Sequence, residues 1–234
     1  MGKIVLNIDE IIMFYDLKGE NHKYASSITA LIGEDLISGI FKHFLQGLNY
    51  NSEVIILPEN PKEKNGKWLD RWIIQKIENA VTCYQTEIKN WSAHSLGGKH
   101  FDYIKNSYLS FDISESNKIF AKIWDSNKQE FQDPSVNKVL KKMKANDTIE
   151  RYTQKTIEPL VCFWMPITRN SVIEPIIEIN IDDKIQEFKK VTIFSASIYL
   201  RKLKSSGIDN IEIEPGSIIK RMKKLNNLFT IENI

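Results

Sequence analysis

The stretch "YQTEIKNW", residues 84–91, places Glu87 and Lys89 two apart inside a run rich in β-branched and aromatic residues. Side chains alternate between the faces of a strand, so Gln85, Glu87, Lys89 and Trp91 share one side, while Tyr84, Thr86, Ile88 and Asn90 share the other. A neighbouring run, "KWLDRWII" (67–74), carries Asp70 on one face with Trp68, Trp72 and Ile74. An isolated carboxylate in that setting is costly to bury. Three carboxylates, counting Glu34 upstream, and one ammonium suit a hard divalent cation, which offsets the repulsion among the acids. Magnesium needs only one or two carboxylates besides waters and phosphate oxygens, and Asp70 and Glu87 are the candidates to supply them. Lys89 beside them would orient or help deprotonate an attacking water and balance charge growing on a phosphate.

The elements that must position these groups are legible in outline. "GEDLISGIFKHFLQGL" (33–48) sets Leu36, Ile37, Ile40, Phe41, Phe44, Leu45 and Leu48 on one helical stripe, and Glu34 projects near an edge of it. "SEVIIL" (52–57) reads as a strand. The runs at 67–74 and 80–91, separated by the turn-like "QKIEN", are expected to form an antiparallel pair. Helices are expected at 116–126 and at 135–145, the latter opened by Pro134 and carrying lysines on its polar side. "EPLVCFWMPI" (158–167) is apolar enough to lie near the sheet centre, covered on both faces. A strand at 189–197, a helix closed by Gly207 and the strand "IEIEP" are expected to make a βαβ-like unit, before a basic helix at 217–229.

An acid in one strand of a hairpin, Glu-x-Lys in the next and a glutamate on a preceding helix together resemble the PD-(D/E)XK nuclease superfamily, the restriction-endonuclease-like fold. The residues that carry the resemblance are Glu34 in "GEDL", Asp70 in "WLDRWI", and Glu87 and Lys89 in "QTEIKNW". It spans residues 33–91, and the later elements over 116–229 fit the common core less specifically. The resemblance implies an α/β (α+β) architecture with an αβββαβ core, a central mixed β-sheet of four to five or more strands flanked by α-helices. It implies metal-dependent hydrolysis of DNA phosphodiester bonds, endonucleolytic or exonucleolytic, with Mg²⁺ as the cofactor and Mn²⁺ able to replace it. Asp70 and Glu87 would be metal ligands, the Ile88 carbonyl a further ligand, Lys89 the catalytic lysine, and Glu34 an auxiliary acid acting through water or a second metal. Leu69 stands where the motif's name has proline, so this position gives no help in choosing a subfamily.

Glu-x-Lys alone is a weak signal, and the bland alternative pairs Asp70 with Arg71 or Lys89 and leaves Glu87 on the surface. A second function of a different class is a catalytically inactive domain of the same fold that binds nucleic acid or protein, because fold does not establish activity. Lys89 as a desolvated nucleophile is disfavoured, since Glu87 beside it would raise its pKa.

The rest of the 234-residue chain narrows the setting. With 32 basic against 30 acidic residues the net charge is +2, so any nucleic-acid surface must be local. Lys138, Lys141, Lys142 and Lys144, and Lys220, Arg221, Lys223 and Lys224, are such local clusters, although solvated helix faces look the same. "HSLGGKH" (94–100) is more readily a glycine turn than a phosphate loop, and His94 and His100 lack zinc-ligand spacing. Ser195 and Ser197 suit helix capping, and the five tryptophans suit core packing. Cys83 and Cys162 sit in apolar runs as reduced hydrophobes, and the N-terminal run has neither signal-peptide nor membrane-span character. The expectation is one cytoplasmic domain over 1–234 that acts on DNA away from membranes, as a homodimer or beside a subunit that selects the target.

Overall fold

A computed structural model describes residues 3–16, 21–57, 69–89, 138–143, 145, 147–164, 174–180, 187–214 and 216–227. The chain begins with β1 (Ile4–Asn7) and α1 (Ile8–Asp16), followed by the long helix α2 (Asn21–Leu48). Three strands come next: β2 (Glu53–Ile56), β3 (Arg71–Ile77) and β4 (Ala80–Lys89). A 3-10 turn (Lys138–Leu140) and the single-turn α3 (Asp147–Glu150) precede β5 (Thr156–Phe163) and β6 (Ile176–Asn180). The last elements are β7 (Lys190–Ser195), α4 (Ala196–Ser205), β8 (Asn210–Ile213) and α5 (Ile218–Asn226).

Six strands form one mixed sheet in the order β2-β3-β4-β5-β7-β6. The first three are antiparallel neighbours, β4, β5 and β7 run parallel, and β6 returns antiparallel to β7. The architecture is therefore α+β, with helices flanking a mixed sheet. Buried β5 occupies the interior position expected of its apolar sequence.

Strand alternation separates two cores. On one face Ile73, Tyr84, Ile88, Leu160, Cys162 and Phe194 meet the α2 stripe, and the Phe41 ring stands edge-on to Tyr84 at 5.5 Å and to Phe194 at 4.9 Å. On the other face Trp72, Ile74, Cys83, Val161, Phe163 and Ile193 pack under Val139, Leu140, Met143 and Ile149. Trp72 and Trp164 are core residues, as expected, whereas Trp68, Trp91 and Trp124 lie outside the described residues. Both cysteines are free and buried. Among the described residues no helix is long and apolar enough to cross a membrane.

Several elements depart from the sequence expectation. The first strand of the central hairpin runs through Ile77, and only Glu78 and Asn79 turn the chain, with Glu78 at φ 52. Helix α2 starts twelve residues earlier than residue 33. The stretch 135–145 shows only the 3-10 turn among its described residues, because the buried Gln85 amide holds it flat. Gln85 Nε2 donates to the carbonyls of Val139 (2.7 Å) and Lys141 (2.6 Å), and its Oε1 accepts from the Met143 amide (2.9 Å). Strand β8 leaves the βαβ-like unit and pairs antiparallel with β1 in a separate two-stranded sheet. Its alternation explains this: Ile211 and Ile213 are buried with α2, and Glu212 and Glu214 are exposed. The expected helix at 116–126, the 94–100 loop and His94 and His100 lie outside the described residues.

Candidate functional site

Parallel strands β4, β5 and β7 finish together, with Lys89, Phe163 and Ser195 in register. In open α/β sheets this carboxyl edge is where ligands bind. Asp70 arrives at the same edge from the antiparallel direction, as the residue immediately before β3.

The Asp70 carboxylate joins the two halves of the motif. Its Oδ2 accepts a 2.7 Å hydrogen bond from the backbone amide of Ile88, the residue between Glu87 and Lys89. Oδ1 has no hydrogen bond among the described residues. Glu87 is 2% exposed and lies on the face that holds Trp72 and Gln85, so its side chain is not at the surface and that part of the bland alternative is corrected. A carboxylate carried to that depth is stable only where cations or donors meet it. Lys89 ends β4, and its side chain lies outside the described set.

Arg71 does not pair with the Asp70 carboxylate. Its Nη1 donates instead to the Asp70 carbonyl oxygen at 2.6 Å and stands 3.2 Å from Glu34 Oε2, and its Nη2 is 2.8 Å from Asp35 Oδ1. Glu34 therefore reaches the strand that carries Asp70 through the guanidinium, from the α2 side of the sheet. Asp35 goes further: its Oδ2 accepts from the amide of Ser217 at 3.1 Å and from the Ser217 hydroxyl. Gly216, at φ 49, permits this approach, because a Cβ there would lie 2.8 Å from Asp35 Oδ1.

Asp35 has no place in the sequence expectation, and Arg71 enters it only as a partner of the Asp70 carboxylate; they are 6% and 3% exposed. A signal existed for Arg71, an arginine embedded among Trp, Leu and Ile. None existed for Asp35, which points away from the α2 apolar stripe and is buried by the segment at 216–217 from far along the chain.

The electrostatics agree with this placement. Burial, and after it the negative charge of Asp70, holds the Cys162 thiol well above its ordinary range, so Cys162 is an inert packing residue behind the site. Ser195 caps α4 by accepting from the Ile198 amide at 3.4 Å, in keeping with a structural role. Among the described residues no group of three or more His, Cys, Asp or Glu side chains is gathered to hold a metal ion. The described groups at this edge are the Asp70 carboxylate against the Ile88 amide and, one residue before Ile88 on β4, the buried Glu87. No protein-family model, curated protein or solved structure matches the chain.

Proposed function

We propose that the chain is a metal-dependent deoxyribonuclease with a restriction-endonuclease-like core, hydrolysing phosphodiester bonds at the edge that holds Asp70, Glu87 and Lys89. The observation that carries this reading is the hydrogen bond between Asp70 and the Ile88 amide, which brings the lone acid of one strand to the Glu-x-Lys of the next. The order of elements supports it as well: a helix, three antiparallel strands, and then a strand parallel to the third.

The donor set suits magnesium, which takes hard oxygens and needs few from the protein. Asp70 and Glu87, with the Ile88 carbonyl, would hold the cation, and Mn²⁺ would serve in its place. The cation supplies Lewis-acid stabilisation of the phosphate and a more acidic water. The chain's own groups do the rest. Asp70 is fixed by Ile88, with Oδ1 left for a ligand; Glu87 is fixed by its place in β4; Lys89 orients the attacking water and offsets charge growing on the phosphate. Glu34 acts at one remove, through Arg71.

A second reading is a catalytically inactive domain of this fold that binds nucleic acid or protein. It is favoured by the net charge of only +2, which leaves a local basic surface or a partner to meet the nucleic acid. Calorimetric titration of Mg²⁺ and Mn²⁺ in the presence of duplex DNA separates the two. The hydrolytic reading expects metal-linked heat that Asp70→Asn and Glu87→Gln each remove, and no such heat in the wild-type protein favours the binding module.

A further inference from the structure

We infer that the solvent face of α5 is the surface that docks the phosphate backbone of duplex DNA against the candidate site. This rests on the reading of the chain as acting on DNA. At about 100° per residue, Lys220, Lys223 and Lys224 fan over an arc of about 100° on one side of the nine-residue helix, opposite Ile218 and Leu225. Ile218 is buried, and all three lysines are exposed.

Two observations separate this arc from an ordinary solvated face. The first is charge. Many lysines of the described surface, among them Lys3, Lys76, Lys190 and Lys204, each meet a carboxylate within 4 Å, whereas Lys141, Lys142 and Lys189 do not. Lys220, Lys223 and Lys224 meet none among the described residues, and α5 contains no acid. The positive charge is left for something outside the described fold, and a polyanion with closely spaced phosphates complements three ammonium groups set within a turn or so of one another.

The second observation is position. Ser217, which immediately precedes α5, is bound to Asp35; Asp35 holds Arg71; and Arg71 donates to the carbonyl of Asp70. Arg221, within α5, donates through Nη1 to the carbonyl of Leu31, one turn before Asp35 on α2. The helix is thus tied to α2 beside the strand end that carries the site. An anionic membrane is the weaker occupant: the exposed apolar residues, Ile219 and Met222, flank the lysines and are too few to form the broad apolar face that such binding uses.

Binding of a fluorescent 20-bp duplex in EDTA, measured by anisotropy over a series of salt concentrations, tests the inference. Lys220→Gln/Lys223→Gln/Lys224→Gln is expected to weaken binding roughly 100-fold at 0.1 M salt and to reduce the salt slope by about 2 to 3, since each phosphate contact contributes about 0.9. The corresponding triple arginine variant should bind like the wild type, and so should Lys202→Gln/Lys204→Gln. A glutamine triple variant that keeps its thermal midpoint and binds DNA with unchanged affinity and slope overturns the inference. So does a wild-type protein that binds no duplex, or lysine-dependent binding to phosphatidylserine vesicles with DNA affinity unaltered. Cleavage is read separately: lysine-dependent binding without metal-dependent cleavage leaves the docking surface standing and removes the hydrolytic reading. Cleavage with lysine-independent binding does the reverse.

Discussion

Oδ2 of Asp70 accepts the backbone amide proton of Ile88 at 2.7 Å, so the lone acid beside β3 is held against the middle residue of Glu87-Ile88-Lys89 on β4. This one contact makes the strand pairing and the site geometry the same thing. β3 begins only at Arg71, and the carboxylate of the preceding residue satisfies the β4 amide that an earlier start of the strand would have met.

Asp70→Ala should therefore unsettle the fold as well as the chemistry. It leaves a part-buried amide without its acceptor, at a cost of about 1–3 kcal/mol. Asp70→Asn keeps a carbonyl acceptor for Ile88 and should stay within about 1 kcal/mol of the wild type. Urea unfolding of both variants checks the difference, and equal stabilities would mean that the contact does not hold the strand ends together.

The ion pair between Arg71 and Asp35, both nearly inaccessible to solvent, should behave as a coupled pair. Arg71→Met should cost about 3–5 kcal/mol, because it strands the buried Asp35 carboxylate; Asp35→Leu should cost less, because Glu34 still meets the guanidinium, and the double variant should recover part of the Arg71→Met loss. A double-mutant cycle by chemical denaturation measures the coupling, and additive losses would contradict it.

Gln85→Met removes three hydrogen bonds to the segment 139–143 while keeping the side chain's length. At about 1 kcal/mol per bond the loss should approach 3 kcal/mol. Amide exchange at Met143 should accelerate ahead of exchange in β4, and unchanged protection there would show that the segment is held by its apolar side chains alone.

His43, whose Nδ1 lies 2.6 Å from the Tyr199 hydroxyl, has its pKa lowered from 6.5 by burial. Between that lowered value and 6.5 the unfolded chain binds more protons than the folded one, so stability rises with pH through this window and is lost as pH falls below about 6.5. His43→Gln should flatten that dependence. Unfolding free energies between pH 5 and 7.5 report it, and an identical slope in the variant would assign the dependence to another group.

How much of this was legible in the sequence differs element by element. The α2 stripe, the central hairpin and buried β5 follow from periodicity, and Glu87 falls on the face of Gln85 and Trp72 where strand alternation puts it. The flat run at 138–143 was hidden, because its lysine and apolar spacing mimics a helix, whereas three hydrogen bonds from a glutamine 54 residues or more away decide its course. The pairing of β1 with β8 and the burial of Asp35 by Gly216 and Ser217 were hidden for the same reason: each depends on a partner about 200 residues distant, which no local pattern encodes.

Asp70, Glu87 and Lys89 are proposed to cut DNA with a divalent cation. Scission of duplex DNA by purified protein, with Mg²⁺, with Mn²⁺ and with EDTA, tests it most directly. Cleavage is expected only when a cation is present, with a fall of roughly 100-fold or more in Asp70→Asn, Glu87→Gln and Lys89→Ala, each still folded. Undiminished cleavage by any of the three folded variants, or a wild-type protein inert with both cations, would contradict it.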